Sequence, residues 1–296
     1  MNWWNEYAGA MQQDAPLGRL TWYRLGGRAR FLYRPPNTDQ LATLLLQAKQ
    51  EEISVRVLGA GANVLIRDDG FDGVIVRLDQ PAFRDVRLKE NESDVEVEVG
   101  GGADLMPFAR ECSERGWSGL EGMAGIPASV GGAVRMNAGG RNGEFGDVVK
   151  EVRVVRRDGR QETWSRNQIG FAYRRSNIGD ATVVSATLKL RKDDPEKVRL
   201  RFEDCFDQKL KTQPIAERSA GCIFKNPAGH SAGALIDQAG LKGTTLGHAQ
   251  VSKRHANFIV AQRGARSEEV IRLIDLVRDR VYRFCGTLLE MEIEVW

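Results

Sequence analysis

The ten residues Val57 to Ile66 read VLGAGANVLI, two apolar runs separated by Gly59-Ala60-Gly61-Ala62-Asn63. Glycines after a strand let the backbone take positive φ and let N–H groups converge on a phosphate, since no Cβ blocks the approach. A Rossmann dinucleotide fold needs a third glycine here and then a helix. Val64 stands in the third place instead, and VLIRDDG continues as a strand. The Rossmann arrangement is therefore excluded. What remains is a strand–loop–strand, read either as a pyrophosphate nest or as a tight hairpin turn.

A second stretch, GLEGMAGIPASVGGAVRMNAGG at 119–140, is dominated by small residues, with one short helical candidate after Pro127. Few side chains project from such a segment, so it can lie against a planar ligand. Close packing between two sheets is the alternative, and the length of the run favours a ligand.

The rest of the chain sets the organisation. Runs at 54–58, 73–78, 94–99, 149–155 and 182–190 are β-branched and often alternating, which predicts strands. Asn37 or Thr38 can cap a helix through Glu52, and Asp104 can open one closed by Gly116. Pro195 begins a long charged helix that reads as the junction to a second domain. Beyond it lie a short helix AGALIDQAG, a strand NFIVAQ, a helix over 267–285 capped by Ser267, and a last strand LLEMEIEVW. The fold class is α+β, with domains at 1–192 (lobes about 1–78 and 79–192) and 193–296.

At 296 residues the chain is long enough for two domains, and a net charge of +3 with scattered basic residues marks no nucleic-acid stripe. No apolar run approaches a membrane span, and the N-terminus lacks a signal-peptide pattern. Cys112, Cys205, Cys222 and Cys285 form no C-x-x-C pair, which fits reduced thiols in a cytoplasm. His230, His248 and His255 lack ligand spacing, so no metal is expected. Read alone, Cys222 in SAGCIFKNP is a small core hydrophobe beside Ile223 and Phe224.

Taken in order, several blocks resemble the UDP-N-acetylenolpyruvoylglucosamine reductases (MurB), flavoenzymes of peptidoglycan precursor synthesis. They are TWYRLGGRA (21–29), LGAGANVLIRDDGFDGVIV, GIPASVGGAVRMNAG, FAYRRS (171–176), QPIAERSAGCIFKNPAGHSAGALIDQAGLKG (213–243), VSKRHANFIV (251–260) and LLEMEIEV (288–295). The likeness runs from about residue 17 to the C-terminus. It implies a two-lobed FAD-binding domain of the vanillyl-alcohol-oxidase (PCMH) type and a C-terminal α+β substrate-binding domain. FAYRRSNIGDATVVSATLKL runs straight into a strand, so the chain resembles the short type without an extra substrate loop.

The resemblance also implies the chemistry. NADPH gives hydride to FAD, FAD N5 delivers it to C3 of the enolpyruvyl ether, and a protein acid protonates C2 to give UDP-N-acetylmuramate. Hydride addition pushes charge onto the substrate carboxylate, where Arg174 would supply a bidentate cation and Tyr173 would orient the substrate. Cys222 falls where the family usually carries its proton-donating serine. A thiol of ordinary pKa near 8.5 is a stronger acid than an alcohol and still mostly protonated at neutral pH. Glu292 falls on the family's C-terminal glutamate, a role served by a raised pKa in an apolar site. Glu290, Glu292 and Glu294 would share one strand face, leaving Glu290 as the competing assignment.

FAD contacts are expected at Gly59, Ala60, Gly61, Ala62, Asn63 and Val64. A second set is Gly125, Ile126, Pro127, Ala128 and Ser129, then Gly131, Gly132 and Ala133, and finally Asn137, Ala138 and Gly139. Lys225, Asn226 and Lys209 are the further substrate candidates. Five positions depart from the family pattern: Ala62 for serine, Ala128 for glycine, Leu20 and Gln262 for asparagine, and His248 for glycine. They keep open a flavin oxidoreductase of the same fold on another substrate, and a non-catalytic flavin or sugar-nucleotide binder. The partners expected are a UDP-sugar, no nucleic acid and no membrane, with the chain a monomer.

Overall fold

The computed structural model describes residues 3–7, 9–90 and 92–296. They form two units. The described residues of Met1–Gln13, Arg30–Ala60 and Asp72–Gln208 make one, and Asp14–Ala29, Gly61–Phe71 and Lys209–Trp296 make the other. This grouping differs from a linear division at residue 192, because two early segments belong with the C-terminal third.

The first unit is built on an antiparallel sheet in the order Gln161–Ser165, Val149–Val155, Thr182–Lys192, Asp94–Gly100, Val86–Glu90. In Asp94–Gly100 the period of two is clean. Val95, Val97 and Val99 are fully buried, while Glu96 and Glu98 take Lys150 and Arg153 on the other face. Helices Leu105–Glu114 and Val130–Met136 contribute Leu105, Phe108, Ala109, Cys112, Val130, Ala133 and Val134 to the same core. Burial pushes the Cys112 thiol up to about 12, which keeps it an inert core group.

A second core gathers around helix Thr38–Gln50, whose leucines 41, 44 and 45 recur at helical spacing and meet Phe31, Tyr33, Val74 and Val76. Asn37 caps this helix, its Oδ1 accepting from the Gln40 N–H at 2.9 Å.

The second unit packs helix Ser267–Cys285 against a three-stranded antiparallel sheet, Thr245–Leu246, Ala249–Val251, Ile259–Ala261. Val270, Leu273, Ile274, Val277 and Val281 line the buried stripe of that helix, and Gly286 ends it in the left-handed conformation at φ 71. Two contacts explain why early segments join this unit. The Tyr23 hydroxyl, fully buried, donates to the Ile259 carbonyl at 3.0 Å. Val64–Leu65 pairs in parallel with Glu294–Val295, and the pairing is extended by Arg67 N–H to Trp296 O at 2.9 Å.

Ser267 is not the N-cap that the sequence suggests; Arg266 holds that place and Ser267 is the first helical residue. Its hydroxyl instead accepts from the Asp68 N–H at 2.9 Å, while Asp68 Oδ1 accepts from the Ser267 N–H at 3.2 Å. The pair satisfies one orphan helix donor and closes the turn at 67–70. Ser267→Ala is expected to lower the unfolding free energy by about 1 kcal/mol. In a urea series, Asp68→Ala and the double variant test the coupling: the double should lose less than the two singles added together.

Candidate active site

In the first unit the two glycine-rich stretches meet. A Cβ on Gly59 would lie 2.5 Å from Ser129 Oγ, so only glycine permits the approach. Ser129 is buried and caps helix Val130–Met136, its Oγ accepting from the Gly132 N–H at 3.2 Å. The 125–133 segment is tied to the sheet by Leu105 N–H to Ala128 O, Val130 N–H to Ala103 O and Gly131 N–H to Gly101 O, each at 2.8–2.9 Å.

Along Gly59 to Asn63, by contrast, no backbone carbonyl among the described residues accepts the amide hydrogens. Five successive donors left to something outside the protein's own ladders, with glycine where a side chain would block, fit a pyrophosphate. Gly61 carries φ 69, and a Cβ there would meet Leu20 O at 2.1 Å. Its carbonyl accepts from the Trp22 N–H at 2.9 Å, and Thr21 Oγ1 donates to Leu25 O at 2.9 Å. The TWYRLGG block thus acts as the support beneath that loop.

Tyr173 and Arg174 form the two-residue turn of a hairpin in which Phe171 and Ala172 pair with Ser176 and Arg175. Arg174 has φ 55, a left-handed conformation that costs a side chain about 1–2 kcal/mol. Its guanidinium lies 5.0 Å from the Tyr173 ring centre, and its Nη1 is buried. The hairpin is held by Asn137, itself left-handed at φ 44 and buried. Asn137 Nδ2 donates to Ala172 O at 3.1 Å and Glu144 Oε2 at 2.6 Å, while its Oδ1 accepts from the Gly146 N–H at 2.9 Å. The carboxamide of Asn137, one of the positions expected to contact FAD, is bonded to Ala172, Glu144 and Gly146.

In the second unit Cys222 is half-buried, preceded by Gly221 at φ 76 and followed by the fully buried Ile223 and Phe224. Ile223 O accepts from the Glu292 N–H at 2.8 Å, and the Lys225 N–H donates to Glu290 O at 2.9 Å. Cys222 and Glu292 thereby lie on adjoining, hydrogen-bonded segments. Asn63 joins them, its Nδ2 donating to Glu292 O at 3.1 Å and its carbonyl accepting from the Glu294 N–H at 3.0 Å.

The continuous last strand does not form. Only Glu294–Val295 is regular, Met291 makes one bridge to Phe224, and the chain bends at Ile293. Leu289 and Ile293 are buried while Met291, which alternation would place on the same face, is exposed, so the tail departs from a regular half-buried strand. Glu290 is exposed and ion-paired with Lys225, whereas Glu292 is half-buried, which separates the two candidates. Lys225, assigned to substrate, has its Nζ on Glu290. Asn226 Oδ1 accepts from the Ala232 N–H at 3.0 Å at the head of helix Ala232–Gln238. Lys209 sits half-buried near the end of helix Pro195–Thr212.

Sequence reasoning singled out the block around Asn257 but gave that residue no role. It is buried, its Oδ1 accepts from the Phe224 N–H at 3.0 Å, and its Nδ2 donates to Phe224 O at 2.7 Å. The available signal was an amide heading the apolar run FIV. Its own N–H donates to His255 Nδ1 at 3.3 Å. Burial, with Lys242 nearby, lowers the His255 pKa and so favours the neutral ring that can accept this bond.

The chain matches two family models: "FAD binding domain" over residues 29–165, and "UDP-N-acetylenolpyruvoylglucosamine reductase, C-terminal domain" over residues 213–296. A reductase of that name from Heliobacterium modesticaldum is 40% identical over 293 residues, 98% of this chain and 92% of that protein. One from Moorella thermoacetica is 40% identical over 284 residues, covering 96% and 92%. The crystal structure of a UDP-N-acetylenolpyruvylglucosamine reductase from Thermus caldophilus is similar at a TM-score of 0.82 and 38% identity, covering 97% of this chain and 98% of that one.

The left-handed turn at Arg174 gives a test of site strain. Arg174→Gly and Arg174→Ala remove the same guanidinium, but only alanine keeps a Cβ. Thermal or urea unfolding should find the glycine variant more stable than the alanine variant by about 1 kcal/mol.

Proposed function

The chain belongs to the UDP-N-acetylenolpyruvoylglucosamine reductase family, and on that premise we propose that it reduces the enolpyruvyl ether of UDP-N-acetylglucosamine to UDP-N-acetylmuramate with NADPH as reductant. The observation that carries the reading is the Glu292 N–H to Ile223 O bond of 2.8 Å, which sets a carboxylate-bearing segment beside the one bearing the Cys222 thiol. FAD, held by the amides of Gly59 to Asn63 and by the 125–133 segment, supplies when bound the hydride that C3 of the substrate receives.

The chain's own residues do the rest. Arg174, raised on a strained two-residue turn, meets the substrate carboxylate, where negative charge grows as C3 is reduced; a fixed guanidinium there favours the transition state over the ground state. Tyr173 lies under that guanidinium and orients it. The Cys222 thiol gives its proton to C2, forming the new C–H bond and leaving a thiolate that solvent reprotonates before the next turnover. Glu292, on the adjoining segment, hydrogen-bonds an oxygen of the enol-like species beside that carbon and steadies the transfer. Ile223 and Phe224, both buried, keep bulk water off that side of the thiol. Lys225 reaches a substrate oxygen by exchanging its Glu290 partner, and Asn226 shapes the same wall from its place at the helix head.

The four cysteines are all free, which suits a reducing compartment and a cytoplasmic enzyme. Among the described residues no helix is long and apolar enough to cross a membrane.

Purified chain supplied with FAD should show a flavin spectrum and should consume NADPH in proportion to the enolpyruvyl UDP-sugar added. Cys222→Ala should still let NADPH bleach the flavin absorbance, but substrate should restore it roughly 10²–10⁴ times more slowly. Cys222→Ser should keep measurable turnover. An alanine variant that turns over like the unaltered protein would remove Cys222 from the reaction, and a chain that binds no flavin would end the proposal.

A further inference from the structure

Phe224 is bonded on both edges. On one side it faces Met291 across the bridge closed by Glu292 N–H to Ile223 O and Lys225 N–H to Glu290 O. On the other side its N–H and C=O both go to the carboxamide of Asn257, at 3.0 and 2.7 Å, and the Asn257 carbonyl accepts from the Ile223 N–H at 2.8 Å. One side chain thus takes the place of a neighbouring strand. A primary carboxamide carries an acceptor and a donor in one plane, the pair that a single strand residue presents. A carboxylate lacks the donor, and a hydroxyl is too short to span both groups.

The three residues joined by the Asn257 bonds are buried: Asn257 is 3% exposed, Phe224 1% and Ile223 0%. Water cannot replace the lost partner, so removing the carboxamide strands a buried N–H and C=O. The segment freed by that loss is the one that sets Cys222 beside Glu292. Gly221, with nothing within 4 Å of where its Cβ would be, offers no steric hold from the other end.

We propose that Asn257 is a positioning residue for proton delivery: it fixes the register of residues 222–225 against 290–292 and so holds the thiol and the carboxylate in a working relation. The proposal rests on the reductase reading for its catalytic half. A displacement of about 1 Å at a reacting group is enough to cost on the order of 100-fold in rate.

The test uses full-length, FAD-loaded Asn257→Ser and Asn257→Asp. Stopped-flow absorbance separates bleaching of the flavin by NADPH from its recovery on mixing with the enolpyruvyl UDP-sugar. The first should stay within about twofold, and the second should fall about 100-fold. Hydrogen exchange supplies an arm that needs no turnover. The Glu292 and Lys225 amides should exchange about tenfold faster in the variants, the factor for losing one buried hydrogen bond of about 1.4 kcal/mol. The Val251 amide, bonded to Thr244 O, should not change.

Folded variants with unchanged exchange at Glu292 and Lys225 overturn the proposal, as does equal slowing of both flavin steps. If the unaltered protein shows no substrate-driven recovery, the reductase reading fails, and the exchange arm still decides whether Asn257 holds the register. Should neither variant fold, the unaltered protein decides. Its Phe224 amide must exchange as slowly as the buried Ser252 amide, which is bonded to Phe258 O at 2.8 Å, and exchange at the rate of an exposed amide overturns the assignment.

Discussion

The peptide of Glu292 is gripped from both sides, its N–H by the Ile223 carbonyl at 2.8 Å and its C=O by the Asn63 carboxamide at 3.1 Å. Three distant parts of the chain meet in those two bonds: the end of the glycine loop, the segment after Cys222, and the C-terminal tail. Each would be a mobile loop alone, since none is regular over more than a few residues. Bonded together, with Val64–Leu65 pairing Glu294–Val295 beside them, they form one framework on which a carboxylate and a thiol are carried.

The first unit solves the same problem in the same way. The Arg174 hairpin has only two paired residues on each side, too few to define its own position. Asn137 supplies what the ladder lacks by donating to Ala172 O from a helix end buried in the core. In each unit a buried asparagine bonds to the backbone of the segment that carries a proposed site residue, Arg174 in one and Cys222 in the other. Carboxamides suit this work because they satisfy main-chain donors and acceptors without adding a charge that burial would penalise.

Much of this was legible where the signal is local. The Asn37 cap, Pro195 at the start of its helix, and strand Val149–Val155 follow from residues within one or two turns of each other. The Rossmann exclusion also held, because Val64 is the first residue of a strand rather than of a helix. What could not be read depends on partners far along the chain. Residues 14–29 and 61–71 join the C-terminal unit through Tyr23 to Ile259 and Arg67 to Trp296, and no local pattern announces such pairings. Glu290 and Glu292 look equivalent by alternation and differ only in what surrounds them, Glu290 being exposed and paired with Lys225 and Glu292 half-buried. Asn137 and Asn257 resemble ligand contacts or nothing at all, since their work is visible only once Ala172 and Phe224 have been placed.

The central claim is that the Cys222 thiol stands at the carbon that receives a proton. A crystal structure of the FAD-loaded chain with the enolpyruvyl UDP-sugar bound measures this directly. The account predicts Cys222 Sγ about 3–3.5 Å from C2, with the substrate carboxylate on Arg174. A thiol turned into the Ile223 and Phe224 core, with another acid or an ordered water at C2, would contradict it.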